Sequence, residues 1–117
     1  MNFTMRLNSS PFEMIENGKK TIELRLYDEK RRRISVGDMI CFMQADDESK
    51  IIVARVKKLY VFPSFEELYK ALPLTECGYT ADTVKDASPD DMKKYYTPEQ
   101  ERKYGVLGIK IEVVTNA

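Results

Sequence analysis

Hydrophobic and polar residues alternate along the stretch that follows Lys20. Apolar residues fill every second position, at Ile22, Leu24 and Leu26. Because side chains of a strand point alternately to its two faces, this pattern predicts a strand with one apolar and one polar face. The run from Gly105 to Val114 alternates in the same way and predicts a closing strand.

Two further strands are predicted between these runs. The Val36-Gly37-Asp38 turn leads into a strand from Met39 to Met43, and Asp46 to Ser49 is predicted as the next turn. The long stretch from Ile51 to Phe62 is rich in β-branched and aromatic residues, which favour strands, and it ends at Pro63.

Helix starts are marked by hydroxyl residues followed by proline or acidic residues, a pattern typical of N-caps. Four such starts occur, at Ser10, Ser64, Ser88 and Thr97. Asn17-Gly18 ends the first helix, and Thr80 is predicted to cap a further short one.

The predicted order places strands at the start, middle and end of the chain, with a helical insertion between residues 64 and 104. We therefore expect an α+β fold in a single domain covering residues 1–117. A C-terminal strand that pairs with N-terminal strands indicates a closed or nearly closed small β-barrel.

The amino-acid composition limits the kinds of catalysis and metal binding that are possible. The chain has 117 residues, 43% of them hydrophobic, which suits one domain with one core. It has no histidine, and this excludes His-based triads, imidazole proton shuttles and His metal sites. Catalysis would fall to carboxylates, lysine, hydroxyls or thiols.

The net charge of zero conceals a polarity along the chain. Residues 1–60 carry 12 Lys/Arg against 9 Asp/Glu, net +3, whereas residues 61–117 carry 7 against 10, net −3. Broad coating of DNA is therefore not expected, but local, salt-sensitive binding of phosphates by the N-terminal half is compatible with this distribution.

The cysteines and apolar segments indicate a cytoplasmic protein. Cys41 and Cys77 have neither C-x-x-C nor metal-ligand spacing, and we expect free thiols. No apolar run approaches the roughly 20 residues that span a bilayer, so we expect no membrane insertion. Metals and cofactors are not expected either.

The polar face of the first alternating strand is the main candidate for chemistry. Thr21, Glu23 and Arg25 follow one another at about 6.6–6.8 Å along one strand face, with Lys20 just before them. Two hypotheses fit this spacing. The residues form either a solvated outer face with a weak surface ion pair, worth roughly 0–1 kcal/mol, or a row of groups that binds a ligand.

The stretch Gly18-Lys19-Lys20-Thr21-Ile22-Glu23-Leu24-Arg25 resembles the signature of the ASCH domain, a family of the PUA-like superfamily. The Val36-Gly37-Asp38 turn, Ser64-Phe65, Tyr95-Tyr96 and residues 104–109 match as well. The resemblance implies a small β-barrel, open on one side, with flanking helices. It also implies that Lys20, Glu23 and Arg25 point into a cleft that binds RNA or a nucleotide-like ligand.

The same resemblance implies an alternative, because some small ASCH proteins are assigned as amidohydrolases of N4-acetylcytidine with Lys, Thr and Glu as the catalytic set. Lys20 matches the lysine, Glu23 stands at the threonine position, and Glu76 is the candidate for the glutamate. A carboxylate beside a lysine stabilises its charged, non-nucleophilic form, which argues against activity. A third hypothesis is a cleft that binds a protein partner or metabolite without catalysis.

Two further features are candidate ligand contacts. The basic run from Lys30 to Arg33 is either a solvated turn balanced by neighbouring acids or, through Arg31 and Arg32, a rim that attracts phosphates. Adjacent helix positions point about 100° apart, so we expect one of Tyr95 and Tyr96 to face inward. We assign Tyr96 to the cleft, where its ring would stack on a base. The oligomeric state is left open.

Overall fold

The computed structural model describes residues 2–116, with side chains up to residue 114, and shows one curled five-stranded sheet with short helices around it. The strands are β1 (Asn2–Leu7), β2 (Ile22–Leu26), β3 (Met39–Gln44), β4 (Asp47–Phe62) and β5 (Val106–Asn116). The α-helices are α1 (Ser9–Glu16), α2 (Phe65–Ala71) and α3 (Pro98–Tyr104). Short 3₁₀ helices cover Arg31–Arg33, Leu74–Glu76, Val84–Asp86 and Pro89–Lys94. The α+β prediction is confirmed.

The sheet runs in the order β1-β3-β4-β5-β2. β1 lies parallel to β3, and the other neighbours are antiparallel, so the C-terminal strand does pair with the N-terminal strand β2. The result is a half-barrel whose edge strands are β1 and β2. Across the open side, the guanidinium of Arg25 in β2 donates from Nη2 to the carbonyl of Arg6 in β1, at 2.9 Å.

The two faces of the sheet bury two hydrophobic cores. The larger one packs β1, β3, β4 and β5 against α1, with Phe12 and Phe42 fully buried. The smaller one packs the apolar face of β2 against α2 and the Pro89–Lys94 segment, through residues such as Leu24, Leu68 and Met92. The opposite face of β2 carries Glu23 and Arg25 to the open side of the half-barrel.

Three predicted helix starts are confirmed by their caps. The hydroxyls of Ser64, Ser88 and Thr97 accept backbone N–H bonds from the first turns that follow. The prediction at Ser10 is wrong, because α1 begins at Ser9 after Asn8. Proline is tolerated anywhere in a first turn, where N–H groups have no partner inside the helix, so it does not fix the first residue.

Two turns also differ from expectation. The predicted turn from Asp46 to Ser49 is shorter, since Gln44 already pairs with Asp47 and the connection is only residues 45–46. The Thr80 hydroxyl accepts the amide of Thr83, and the turn that follows is a 3₁₀ helix at Val84–Asp86. No helix within residues 2–116 is long and apolar enough to cross a membrane.

Candidate ligand-binding cleft

A cleft of about 410 Å³ opens where β1 and β2 fail to pair. The end of β1, the first turns of α1 and the polar face of β2 form one side of it. Tyr69 and residues 77–79, 91–92 and 94–96 form the other side. The cleft therefore lies between the half-barrel and the helical insertion.

Two glycines bring the backbone into position at this cleft. Gly18 adopts a φ of +81° after α1, and the amides of Lys19 and Lys20 then bond to the Met14 carbonyl at 2.8 and 3.0 Å. Gly78 has a φ of +115°, and a Cβ there would lie 3.6 Å from Cδ of Lys20. The wall at Gly78 thus packs along the lysine stem, and both positive φ values favour glycine.

Lys20, Glu23 and Arg25 form a buried ionic triad at the cleft. The Nζ of Lys20 lies 2.8 Å from Oε1 of Glu23, and Nε of Arg25 lies 2.8 Å from its Oε2. The side chains are 11%, 4% and 14% exposed, respectively. The hypothesis of a solvated surface ion pair is therefore wrong, because the cleft walls cover this face of β2.

The charge state of the triad follows from its contacts. Burial alone would raise the pKa of Glu23, but the charges and hydrogen bonds of Lys20 and Arg25 outweigh it and lower the pKa. Burial would likewise lower the pKa of Arg25, yet the Glu23 carboxylate raises it. Glu23 is thus ionised at neutral pH, and the triad carries a net charge of +1.

The remaining hydrogen-bonding capacity of the triad lies on its cations. Both oxygens of Glu23 are engaged, since Oε1 also accepts the Leu24 amide at 3.3 Å. Within the described part of the chain, Lys20 donates only one of its three ammonium protons, to Glu23. Glu23 therefore serves as an internal counterion, and Lys20 and Arg25 present the free donors.

Thr21 and Glu76 belong to a second cluster outside the cleft lining. The Thr21 hydroxyl donates to Oε1 of Glu76 at 2.8 Å, and the ammonium of Lys110 donates to both residues. β-pairing sets Lys110 opposite Ile22, next to Thr21. Hydrogen bonding to Lys110, and then to Thr21, lowers the pKa of Glu76. Of the three proposed catalytic residues, Lys20 and Glu23 line the cleft and Glu76 does not.

The basic run is held by contacts inside the protein. Arg31 pairs with Asp28 at 2.7 Å, and its side chain is largely covered. Arg32 donates to the carbonyl of Tyr104 and lies 4.3 Å from the ring centroid of Tyr27. Neither arginine belongs to the residues that line the cleft.

Aromatic rings form part of the cleft. Tyr96 is partly buried and stacks on Phe65 with ring centroids 6.0 Å apart and an interplanar angle of 14°. Burial raises the pKa of its hydroxyl. Tyr95 is 54% exposed and its ring lies 6.4 Å from that of Tyr96. One tyrosine thus packs inward and one faces solvent, and both line the cleft.

A chain of hydroxyls that the sequence analysis missed lines the same cleft. The hydroxyls of Tyr69 and Tyr79 are 2.7 Å apart, and Tyr79 donates to Oδ2 of Asp91 at 2.6 Å. Burial, and after it the hydrogen bond that Tyr79 donates to Asp91, raises the pKa of Tyr79. The bond from Tyr79 lowers the pKa of Asp91. From sequence, Asp91 is recognised only as the capping partner of Ser88, a role it also has.

Cys77 also lines the cleft but is a poor nucleophile. It is a free, buried thiol, and burial raises its pKa to about 11, so it stays protonated at neutral pH. Cys41 in β3 is free as well. Within residues 2–116, no group of three or more Cys, Asp or Glu side chains is arranged to hold a metal ion.

A half-barrel of five strands, with a cleft at its open side and short flanking helices, defines a PUA-like fold. The ASCH domain model matches residues 5–115, and the chain therefore belongs to the ASCH domain family. The fold and family expected from the Gly18 to Arg25 motif are confirmed.

Solved structures agree with this assignment. The crystal structure of hypothetical protein PH0355 is 34% identical, with a TM-score of 0.83 over 97% of this chain and 100% of that one. The solution structure of PF0455 from Pyrococcus furiosus is 33% identical, with a TM-score of 0.71 over 97% and 98% of the two chains. An ASCH protein from Zymomonas mobilis is 15% identical over 93% of this chain and 65% of that one, and its TM-score of 0.60 supports the fold alone. No curated protein matches the sequence.

Proposed function

We propose that the cleft binds a nucleotide-like ligand, either a free nucleotide or one unit of RNA. One observation carries this proposal: the cationic pair Lys20 and Arg25 and the tyrosine rings open onto the same cleft. Its volume of about 410 Å³ lies in the range of small-molecule sites. A nucleotide combines an anionic phosphate with a flat aromatic base, and the two kinds of cleft surface complement these two parts.

Charge favours an anionic ligand here. Among the described residues that line the cleft, four are cationic and two are acidic. The cations are Arg6, Lys20, Arg25 and Lys94, and the acids are Glu23 and Asp91. A few phosphate contacts of this kind give weak binding that falls as salt concentration rises.

Stacking supplies the second contribution. The solvent-facing ring of Tyr95 and the inward ring of Tyr96 both border the cleft. Stacking of a base on an aromatic side chain is worth roughly 1–3 kcal/mol and tolerates any base. The two tyrosines therefore support affinity without selecting a sequence.

Titrations with nucleotides and short RNA test the proposal. In a fluorescence titration at low salt, Lys20→Gln and Arg25→Gln should each weaken binding of AMP and of a labelled oligonucleotide about tenfold. Each should also reduce the salt dependence. Arg102→Gln is the matched control, since Arg102 is exposed, lies outside the cleft lining and, among the described residues, forms its ion pair with Glu99.

The folded state of each variant is checked by circular dichroism, because both changes disturb the buried triad. Unchanged affinity and salt slope in folded Lys20→Gln and Arg25→Gln would exclude nucleotide binding at this cleft. Binding of oligonucleotides but not of AMP would assign the cleft to RNA, and the reverse would assign it to free nucleotides.

The amidohydrolase hypothesis has weaker support. Glu23 stands where a hydroxyl is expected, and both its oxygens accept bonds from neighbours. Glu76 is held by Thr21 and Lys110. Incubating the protein with N4-acetylcytidine and measuring free cytidine by chromatography tests it, with Lys20→Gln as the control. We expect no cytidine release above background.

The third hypothesis, a protein partner or metabolite, predicts no competition between nucleotides and oligonucleotides for the cleft. The same titrations therefore distinguish it. We also propose that the protein acts in the cytoplasm, in line with its two free cysteines.

A further inference from the structure

The hydroxyl chain of Tyr69, Tyr79 and Asp91 has a fixed direction. Tyr79 has one proton and donates it to Asp91, an ionised carboxylate that only accepts. The contact of 2.7 Å between the two phenols therefore needs the proton of Tyr69. Both phenolic protons point along the chain towards Asp91, and neither is available to a ligand.

This direction determines what the wall offers to the cleft. With its proton committed, the Tyr69 oxygen has only lone pairs left, and the carboxylate of Asp91 has no proton. Hydrogen bonding from Tyr79 keeps the pKa of Asp91 below its usual range, so the arrangement persists at neutral pH. The row formed by Tyr69, Tyr79 and Asp91 therefore accepts hydrogen bonds from a ligand and does not donate them.

The other wall has the opposite character. Lys20 and Arg25 carry protons that Glu23 does not use, and they have no acceptor atoms. Their counterion Glu23 is only 4% exposed and both its oxygens already accept bonds, so the cations dominate what this wall presents to a ligand. The cleft thus has a pair of cationic donors, Lys20 and Arg25, on one side and the acceptor row of Tyr69 and Asp91 on the other.

We infer that the Tyr69 oxygen accepts a hydrogen bond from the ligand, so that the cleft prefers bases with an exocyclic amino group over bases with an oxo group at the same position. This inference rests on the proposed nucleotide binding and specifies the substrate class. The phosphate lies at Lys20 and Arg25, and the exocyclic amine of an adenine-type or cytosine-type base donates to Tyr69. An oxo group at that position would place two acceptor oxygens against each other. Both would lose hydrogen bonds to water on binding and would gain none in the complex.

Two nucleotide pairs test the inference, because AMP and IMP, like CMP and UMP, differ by an amino or an oxo group. We expect the wild-type protein to bind AMP and CMP about tenfold more tightly than IMP and UMP in calorimetric titrations. Tyr79→Phe removes the acceptor that holds the Tyr69 proton and frees Tyr69 to donate. This variant should bind IMP and UMP more tightly, bringing the amino-to-oxo ratio to about one.

Tyr69→Phe should also bring the amino-to-oxo affinity ratio to about one, but by weakening the amino nucleotides. It removes the Tyr69 oxygen that accepts their hydrogen bond, so AMP and CMP should bind about tenfold more weakly. The matched control is Tyr95→Phe, because Tyr95 lines the same cleft and its ring faces solvent. Tyr95→Phe should keep the wild-type ratio.

The outcomes separate this inference from the proposed function. If the wild-type protein binds all four nucleotides equally, or if both Tyr69→Phe and Tyr79→Phe keep the wild-type ratio, the inference is wrong and nucleotide binding stands. If none of the four nucleotides binds, the inference is wrong, and if the labelled oligonucleotide does not bind either, the proposed function is overturned as well.

Discussion

Two ionic clusters meet at the start of β2, and they differ mainly in burial. In the cleft, Glu23 lies between Lys20 and Arg25 and is almost fully covered. Outside it, Glu76 pairs with Lys110, and these side chains are 38% and 35% exposed, respectively. Lys20 and Thr21 are adjacent in sequence, yet each belongs to a different cluster.

Burial gives the same residue types different roles. A covered charge depends on its partners, because water cannot replace them, so breaking the cleft triad should strongly destabilise the protein. A charge that is one-third exposed is solvated when its partner is lost. The Glu76 cluster therefore has a structural role, since it connects Thr21 to the 3₁₀ helix Leu74–Glu76. A backbone hydrogen bond from the Thr21 amide to the Glu76 carbonyl joins the same two segments.

The largest expected effect is that of Glu23→Gln. It leaves Lys20 and Arg25 as close, buried cations without a counterion, and it should lower the free energy of unfolding by about 3–5 kcal/mol. Urea denaturation followed by circular dichroism measures this loss. A loss below about 1 kcal/mol would mean that the triad behaves like a surface pair.

The pH dependence of stability should show the same contrast. The folded state lowers the pKa of Glu23 below its ordinary value of 4.5, so its charge stabilises the fold above that pH. This stabilisation is lost as pH falls through the lowered pKa. Unfolding free energies measured from pH 7 down to pH 3 should decline less steeply for Glu23→Gln than for wild type. Parallel curves would contradict the assignment.

Glu76→Gln should have a smaller effect. Its partners Thr21 and Lys110 remain in contact with water, and we expect a loss of about 1 kcal/mol or less. The urea experiment used for Glu23→Gln measures it, and Arg102→Gln provides the baseline for an exposed pair. A loss equal to that of Glu23→Gln would remove the distinction between the clusters.

The smallest expected effect is a difference in how the two clusters respond to salt concentration. Raising the ionic strength from about 0.05 M to about 0.5 M screens exposed charges more than buried ones. The destabilisation caused by Glu76→Gln should therefore shrink, whereas that of Glu23→Gln should hold. Equal salt responses in the two urea series would show that both clusters are equally solvated.

Local patterns were enough for much of the fold. The caps at Ser64, Ser88 and Thr97 bond to amides two or three residues away, so their signals lie within a few letters of sequence. The alternation from Ile22 to Leu26 located β2 within its observed bounds. The motif from Gly18 to Arg25 was sufficient to predict the family.

The contacts of the site residues could not be predicted from local sequence patterns. Alternation put Thr21, Glu23 and Arg25 on one face, but Thr21 lies before the first residue of β2 and bonds to Glu76, 55 positions away. The hydroxyls of Tyr69 and Tyr79 meet because α2 and the loop after it fold against the same cleft.

The sequence by itself thus determined the α+β class, the family, and the presence of a charged row on β2. Only the tertiary structure decided that Glu23 is a buried counterion, that Glu76 belongs to a separate cluster outside the cleft, and that Tyr69 and Tyr79 line the cleft. The physical reason is the sequence distance over which each interaction acts. Helix caps and strand alternation involve residues within one turn or one strand. Burial, and the contact between Lys110 and Thr21, which are 89 residues apart, depend on sheet register.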